Sequence, residues 1–373
     1  MMPCWPGAGR TPLLERYAMS GPELSPATSQ GALGLGRDDA GPFPAICVSG
    51  LTVRCHGVWP DDSALLEGWA RRAAWPFVHP IWQEAAWKPF AAKKRLRLLT
   101  IHNGENLLGV LPLRLSGGGS LYSIGADCAD YLDPPVCRDA WPAVLRYIAT
   151  LWDSGIKDLH LLNLHESAEC RAFIPSIAES VGLVCDEYTE GCTTAIRLPA
   201  TFDAFLSSLA AHESKEVRRK LRKAERDGAA ELVRSVADER VATELDRCLD
   251  LMESSGGAKA DAVRVTLRPL LQTAGPALIR QGILRLYTLH LQGRPACCLL
   301  QFATGSGPLL YNIGYDLAMR RWAPGAVAIA MSIRDAIAEG ATVYDMLRGD
   351  ERYKYRLGAV DRPLFQLLIR KMT

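Results

Sequence analysis

The pattern of apolar and polar positions divides the chain, from about residue 46 onward, into strands and helices in mixed order. Short apolar or alternating runs predict strands, and apolar residues at three- and four-residue spacing predict helices. The predicted strands are 51–58, 95–115 (two strands), 120–126, 158–164, 183–188, 192–198, 283–293, 294–305, 307–315, 342–347 and 363–372. The predicted helices are 63–74, 79–90, 141–152, 170–182, 202–228 (one long or two short) and 237–254, followed by 324–340.

The order of these elements favours a duplicated fold. In each half, antiparallel strands joined by turns precede a helix, a strand and a terminal strand; the Asn103–Gly104 pair predicts the first such turn. The length of 373 residues also favours two domains. We therefore predict an α/β (α+β) fold with two mixed, largely antiparallel sheets flanked by helices. The predicted domains are 46–200 and 201–373, after a disordered segment at 1–45 that is rich in Gly, Pro, Ser and Ala.

The charge balance restricts the classes of partner. The 43 basic and 41 acidic residues give a formal net charge of +2, whereas a dedicated nucleic-acid binder usually has a strongly basic domain. Nucleic acid is therefore not the expected partner. We also predict no transmembrane segment, because no run of 18 apolar residues occurs.

The cysteines argue against a metal centre. Eleven cysteines are scattered without a C-x-x-C pair, and no H-E-x-x-H motif occurs. We predict no metal, and reduced, mostly buried thiols in a cytoplasmic protein.

The first candidate site is the start of the helix at 324–340. Pro324 and Gly325 follow a loop with Arg320 and Arg321. Pro in the first turn loses no needed donor, and Gly lets a ligand approach the backbone. The free N–H groups at such a helix start attract anions such as a pyrophosphate. The alternative is an ordinary helix start with two solvated arginines.

The second candidate site is the segment that follows the strand at 342–347. Asp345 lies on the same side of this strand as Val343 and Leu347. It is either a general base or half of a structural ion pair with Lys354 or Arg348. Tyr353 and Lys354 either hold a phosphate or donate a proton to a departing thiolate, or they form a short amphipathic helix with solvated heads.

A run of seven basic residues between Lys215 and Arg226 forms one face of a predicted helix. Val217, Leu221 and Ala224 mark its packed side. The basic face is either solvated or in contact with an anionic glycan, lipid head group or nucleic acid.

The order of these motifs resembles the GNAT-superfamily acyltransferases of the CelD type, which are associated with cellulose and other exopolysaccharide biosynthesis. The resemblance covers roughly residues 50 to 370. It is carried by "WARRAAWPFVHPIWQEAAWKPF", "GADCADYLDPPV", "HESKEVRRKLRKAERDG" and "LQGRPACCLLQF". The ordered set Tyr315–Asp316, Pro324–Gly325, Asp345, Gly349 and Tyr353–Lys354 completes it.

The resemblance implies a tandem GNAT (acyl-CoA N-acyltransferase) fold like that of the FemABX peptidyltransferases. Acetyl-CoA or another acyl-CoA would bind in the C-terminal domain, and its acyl group would pass directly to an amine or hydroxyl of a small-molecule or glycan acceptor. The predicted cofactor-binding residues are Ile313, Gly314, Arg320, Arg321, Trp322, Pro324, Gly325 and Ala326. This sequence has "RRWAPGA" where the common GNAT loop reads Q/R-x-x-G-x-G/A.

The resemblance also implies the roles on the acceptor side. Asp345 would be the base or orient the acceptor, and Tyr353 or Lys354 would assist the leaving thiolate. Asp130, Tyr131, Arg348 and Gly349 are the predicted substrate-binding residues, and Asp133 also belongs to the acceptor side.

Two rival functions stay open. The first is FemABX-like transfer from aminoacyl-tRNA, with which the basic helix is compatible. The second is a catalytically silent subunit that associates with polysaccharide synthesis proteins.

Overall fold

One 13-stranded sheet runs through the molecule. The structure, a computed structural model, describes residues 45–91, 95–254 and 257–372. The strands follow the order β1-β2-β3-β4-β5-β6-β13-β7-β12-β11-β10-β9-β8. The two predicted sheets are thus corrected to one, because strands from the ends of the chain's two halves pair with each other. The predicted segment 1–45 lies, apart from Ala45, outside the described residues.

The first half of the chain supplies seven strands and four helices of the described part. The strands are β1 (Ile46–Val48), β2 (Leu51–His56), β3 (Arg95–Asn103), β4 (Asn106–Leu115), β5 (Ser120–Ser123), β6 (Asp158–Leu164) and β7 (Leu183–Arg197). The helices are α1 (Ser63–Arg72), α2 (Pro80–Trp87), α3 (Trp141–Leu151) and α4 (Cys170–Ser180).

The second half repeats this order. Its strands are β8 (Glu231–Arg234), β9 (Leu284–Leu291), β10 (Arg294–Ala303), β11 (Pro308–Tyr315), β12 (Val343–Arg348) and β13 (Val360–Lys371). Its helices are α5 (Phe202–Ser208), α6 (Ala211–Gly228), α7 (Val241–Glu253), α8 (Gly257–Ala262), α9 (Arg268–Arg280), α10 (Pro324–Ala338) and α11 (Arg352–Arg356). A π-helical turn, Val263–Leu267, joins α8 to α9.

The two halves exchange their last strands. β13 lies between β6 and β7, with Leu367 opposite both Leu161 and Glu187. β7 pairs with β12 on its other edge, where Ala195 is opposite Asp345. Each half therefore completes the sheet of the other.

Two apolar cores reflect this exchange. The first core contains α3 and α4 with the strands of the first half, and it also includes Leu367 and Ile369 from β13. The second core contains α5, α6 and α10, and it also includes Ile196 from β7. The predicted boundary between domains 46–200 and 201–373 falls between β7 and α5 and stays a prediction.

Local differences from the predicted elements have physical reasons. The predicted strands 183–188 and 192–198 form the single strand β7, in which Gly191 adopts a φ of 146° without reversing the chain. The first hairpin turns at Gly104–Glu105, because Asn103 still pairs with Asn106. The 202–228 segment forms two helices, which Leu209 and Ala210 separate.

Cys248 of α7 and Cys298 of β10 form a disulfide in the structure, with their Cα atoms 5.5 Å apart. This corrects the prediction of uniformly reduced thiols. Both cysteines are buried in the apolar interior. Each therefore fits the sequence pattern of an apolar element, and their spacing in the sequence does not indicate that the two would pair. In the described ranges, no helix combines the length and apolarity that crossing a bilayer requires.

Candidate functional site

The candidate site begins where β11 and β12 separate. These parallel neighbours pair at Leu309 and Asp345, and β11 then runs on to Tyr315 while β12 follows β7. The register of β11 against β10 shifts between Leu300 and Gln301, which bends β11 at this point. A gap therefore opens between the two strand ends.

A cleft of about 530 Å³ lies at this gap, a volume within the usual range for small-molecule sites. Five of the eight predicted cofactor-binding residues line it: Ile313, Arg320, Pro324, Gly325 and Ala326. The rest of the lining comes mainly from α6 and α11, through Glu213, Glu216, Val217, Lys220, Glu351, Tyr353, Arg356 and Leu357, with Tyr315, Ala323 and Ile329. The α6 residues were not predicted; the basic run that contains Lys220 was their only signal.

The start of α10 forms one wall of the cleft. Ala323 has a left-handed φ of 51°, and no side chain caps this helix end. The N–H groups of Gly325 and Ala326 therefore have no partner within the helix. Lys220 and Arg320 bring positive charge to the cleft lining, which also contains Glu213, Glu216 and Glu351. This combination suits an anionic group such as a phosphate.

Two glycines allow β11 to lie close to the elements beside it. A Cβ at Gly314 would lie 2.5 Å from the Met252 amide nitrogen and 2.7 Å from the Leu251 carbonyl carbon of α7. A Cβ at Gly325 would lie 3.3 Å from the Ile313 Cδ1. Gly314 is thus buried against α7 rather than lining the cleft, whereas Gly325 lines the cleft and packs against Ile313 of β11.

Arg321 and Trp322 lie outside the cleft lining. Trp322 is buried in the second core, and the Arg321 guanidinium is 5.3 Å from the centre of its ring. The Arg321 carbonyl accepts a hydrogen bond of 3.1 Å from Lys223 Nζ. These contacts give both residues a structural explanation.

Asp345 lies on the opposite face of the sheet from the cleft. Its strand neighbours Tyr344 and Met346 belong to the second core, which also contains Val217 and Ile329 of the cleft lining. The Asp345 side chain instead points toward Tyr131, whose hydroxyl donates to Asp345 Oδ2 at 2.7 Å. The gap between β11 and β12 lies between the cleft on one face of the sheet and this carboxyl on the other.

The Asp345 carboxyl is enclosed by hydrogen-bond partners. Its Oδ1 accepts the Leu347 N–H at 2.8 Å, and Leu347 has a left-handed φ of 55°. Tyr131 Oη is also 2.9 Å from Thr193 Oγ1. Burial raises the pKa of Asp345 to about 6, although both hydrogen bonds and Arg362 lower it. Burial raises the pKa of Tyr131 above its usual value, so the phenol keeps its proton.

A loop from the first half of the chain spans the gap on this face. We call residues 126–131 the bridging loop. The Tyr311 hydroxyl of β11 donates to the carbonyl of Cys128 at 2.9 Å, and Asp130 pairs with Arg348 Nε of β12 at 3.3 Å. Burial raises the pKa of Asp130, and Arg348 opposes that effect. The predicted residues Asp130, Tyr131 and Arg348 are therefore brought together beside Asp345.

Asp133 lies beside the bridging loop rather than at the gap. Its two carboxylate oxygens accept hydrogen bonds from Trp75 Nε1 and from the backbone N–H of His165, each at 2.8 Å. These bonds fix the chain after Tyr131, so the structure gives Asp133 a supporting position.

Lys354 is turned away from the cleft. Its ammonium is buried and donates to the carbonyls of Leu347, Arg348 and Gly349 at 3.3, 2.6 and 3.3 Å. Glu351 lies 3.1 Å from the same nitrogen. Lys354 thus holds the turn after β12, in which Gly349 has a φ of 116°; its predicted role as an acid stays a prediction.

Tyr353, by contrast, lines the cleft with 36% of its surface exposed. Burial and, secondly, Glu351 raise the pKa of its phenol above the usual value. Tyr353 is therefore a protonated donor at neutral pH.

Three of the seven basic residues of α6 form ion pairs. Arg218 pairs with Asp203, Arg219 with Glu216 and Arg226 with Asp227. Because Lys220 faces the cleft, this helix contributes directly to the site.

Residues 211–355 match the family model described as an acetyltransferase (GNAT) domain. This range holds all of the cleft lining except Arg356 and Leu357. Among curated proteins, none matches the chain.

Several solved structures are similar in fold. FemX shares 11% identity over 76% of this chain and 90% of its own, with a TM-score of 0.51. L-PGS from Bacillus licheniformis shares 12% identity over 83% and 92%, with a TM-score of 0.52. A conserved protein of unknown function from Bacteroides thetaiotaomicron VPI-5482 shares 11% over 85% and 99%, also at 0.52. At these identities the likeness concerns the fold alone; with the domain match, it confirms the predicted mixed α/β, GNAT-type fold.

Proposed function

We propose that the protein is an acyltransferase that binds acyl-CoA in the cleft and transfers the acyl group directly to an amine or hydroxyl. The observation that carries this proposal is the gap between β11 and β12. It connects the cleft, with its uncapped helix start, to the Asp345 carboxyl on the other face. A thioester in this gap would be accessible from both faces of the sheet. The acceptor could therefore attack it directly, without a covalent acyl-enzyme intermediate.

The donor's diphosphate would bind at the start of α10. The N–H groups of Gly325 and Ala326 supply donors, and Lys220 and Arg320 supply charge. The pantetheine arm would follow β11 toward the gap, where backbone N–H groups of the open strand edge would polarise the thioester oxygen.

The acceptor would approach beneath the bridging loop. Above pH 6 the Asp345 carboxyl is mostly ionised, so it can take a proton from the attacking group through Tyr131 or after a small movement of the loop. Tyr353, protonated and facing the cleft, would donate its proton to the departing thiolate.

Isothermal titration with acetyl-CoA and octanoyl-CoA tests the donor site. We expect binding of at least one donor, and a roughly tenfold loss of affinity in Arg320→Ala, since a charge-assisted phosphate contact is removed. Arg321→Ala is the matched control: its neighbouring guanidinium faces the Trp322 ring outside the cleft, so we expect affinity within twofold of the wild type. Equal losses in both variants, or no binding by the wild type, would refute the donor site.

The aminoacyl-tRNA alternative rests on Lys220 and the rest of the basic face of α6. Its partly unpaired charge would give a binding constant that falls steeply with salt. If aminoacyl-tRNA binds in a filter assay and protects α6 from lysine modification while acyl-CoA does not bind, this alternative replaces the proposal. Binding of neither donor would favour the catalytically silent subunit.

The biological setting is proposed from the CelD-type resemblance alone. We propose a glycan or small-molecule acceptor in polysaccharide or cell-envelope biosynthesis. Transfer of radiolabelled acetyl groups from acetyl-CoA to a panel of amino sugars and oligosaccharides tests this proposal. Transfer only to acceptors outside this class would contradict it.

A further inference from the structure

Asn163, at the end of β6, is fully buried, and all its polar groups are hydrogen-bonded. Its Nδ2 donates to the carbonyls of Ala126 and Ala129 at 3.2 and 2.7 Å. Its Oδ1 accepts a hydrogen bond from Arg348 Nη2. One amide therefore joins β6, the bridging loop and the end of β12.

The backbone of Asn163 is equally engaged. Its N–H donates to Glu190 Oε2 at 3.0 Å, and its carbonyl accepts the Leu132 N–H at 2.9 Å. Its φ of 56° is left-handed, a conformation that Asn adopts more readily than other residues with a side chain. Asn163 thus combines two properties that this position needs. It accepts the left-handed backbone at the end of β6, and its side-chain amide bonds to the bridging loop and to Arg348.

These contacts determine where the acceptor-side residues lie. The two loop carbonyls that bond to the Asn163 amide, those of Ala126 and Ala129, lie on either side of Cys128 in the chain. Asp130 and Tyr131 directly follow Ala129. The Oδ1 bond holds Arg348, the partner of Asp130, from the opposite side. Without the Asn163 amide, the buried carbonyls of Ala126 and Ala129 would each lose a donor.

We propose that Asn163 is a positioning residue that fixes the bridging loop across the gap, so that Tyr131 and Asp130 reach Asp345 and Arg348. This inference rests on the proposed acyl transfer for its catalytic consequence and on the loop contacts alone for its structural one. The hydrogen-bond partners of Asn163 all lie outside the cleft lining, so we expect it to act on the acceptor side.

The test compares Asn163→Asp, Asn163→Ala and Gln83→Ala in the full-length protein. Asn163→Asp keeps the size and the acceptor for Arg348 but replaces two donors with a carboxylate oxygen facing two carbonyls. Gln83→Ala is the matched control, because the Gln83 amide is also fully buried and donates to two carbonyls, those of Phe77 and Ile124, at 2.7 and 3.1 Å.

The catalytic measurement is acetyl-CoA turnover with water as the acceptor, detected as released CoA thiol. In both Asn163 variants we expect kcat to fall at least tenfold while the calorimetric Kd for acetyl-CoA changes less than twofold. In Gln83→Ala we expect both quantities within twofold of the wild type. Parallel losses in kcat and affinity in the Asn163 variants, or the same kcat loss in Gln83→Ala, would overturn the positioning role.

A second measurement is independent of the reaction. The half-buried Cys128 thiol lies in the bridging loop, so its labelling rate by a maleimide, followed by mass spectrometry, reports loop opening. We expect at least a fivefold faster rate in the Asn163 variants, with the β7 residue Cys192 unchanged. Unchanged Cys128 labelling would refute the proposal even where turnover is too slow to measure; faster labelling without acetyl-CoA binding would refute the acyl-CoA function and keep the role of Asn163.

Discussion

The buried carboxyl of Asp345 accepts a hydrogen bond from the phenol of Tyr131, which belongs to the other half of the chain. A general base must be ionised to accept a proton, so activity should rise as pH passes through about 6 and level off above it. We expect Asp345→Asn to lose roughly 10²- to 10⁴-fold in the acyl-transfer rate, with acetyl-CoA affinity retained, because an amide cannot act as base. Rate–pH profiles of both proteins test this, and a full rate in the variant would remove Asp345 from the mechanism.

The same carboxyl predicts a pH-dependent effect on stability. Its pKa is higher in the folded protein than the ordinary value of 3.8, so the folded state binds the proton more tightly. The stabilisation this provides is complete below pH 3.8 and is lost as pH rises through 6. Relative to the wild type, Asp345→Asn should therefore gain free energy of unfolding between pH 4 and 6.5, by at most roughly 3 kcal/mol. Urea unfolding across this range measures the gain; the opposite slope would mean that hydrogen bonds, not burial, dominate.

Tyr353 is the residue whose hydroxyl faces the cleft and keeps its proton. We expect Tyr353→Phe to lower kcat roughly tenfold or more with little change in acetyl-CoA affinity, because the thiolate would leave without a proton donor. Tyr355→Phe serves as control, since the Tyr355 hydroxyl bonds to Asp361 at 2.7 Å and does not line the cleft. Steady-state kinetics and calorimetry distinguish them, and equal kcat values for the two variants would exclude Tyr353 as the acid.

The position of β11 against α7 depends on the absence of a side chain at Gly314. A methyl group there would meet backbone atoms of Leu251 and Met252, which cannot rotate away as side chains can. We expect Gly314→Ala to lower the free energy of unfolding by about 1–3 kcal/mol or more and to weaken acetyl-CoA binding by shifting β11.

Gly325→Ala is the comparison for that prediction. Its new methyl group would meet only the flexible end of the Ile313 side chain at 3.3 Å, so we expect a smaller loss of stability. Thermal melting with and without acetyl-CoA measures both variants. Equal destabilisation would contradict the close approach of α7 to β11.

Most single elements could be predicted from the sequence because apolar periodicity reports local conformation. The strand β6 and the start of α10 at Pro324 lie where the pattern predicted them. The 257–280 segment, with α8, the π-helical turn and α9, was not assigned, since Gly257, Pro269 and Pro276 interrupt its helical pattern.

From the residues themselves, the candidate site was predictable only where its signal is local, whereas Asp130, Tyr131 and Arg348 were named through the family resemblance. The Pro324–Gly325 pair indicated an anion-binding helix start from adjacent residues alone. The contact of Tyr131 with Asp345 spans 214 positions, and the bonds of Asn163 to the bridging loop and to Arg348 depend on strand register. Nothing in a single sequence determines such register, so Asn163 and Thr193 were missed.

At the scale of the whole molecule, the strand exchange couples the two halves. β13 is hydrogen-bonded on both edges, to β6 and to β7, and its Leu367 and Ile369 are fully buried in the first core. β7, in turn, supports β12 and therefore Asp345. The contact of Tyr131 with Asp345 therefore depends on both exchanged strands.

This coupling predicts that the halves cannot fold alone. A chain ending at Gly358 lacks β13, so β6 and β7 would each have an unpaired edge and the first core would lose Leu367 and Ile369, which costs several kcal/mol of burial. That loss is comparable to the total stability of a typical domain, so we expect aggregation or a molten state by size-exclusion chromatography and near-UV circular dichroism. A chain beginning at Gly50 is the control: of the elements in the described ranges it lacks only β1, a three-residue edge strand paired on one side, and it should melt within a few degrees of the full chain. Cooperative melting of the chain that ends at Gly358 would mean that the fold does not need β13, and that this exchanged strand does not hold Asp345 against Tyr131.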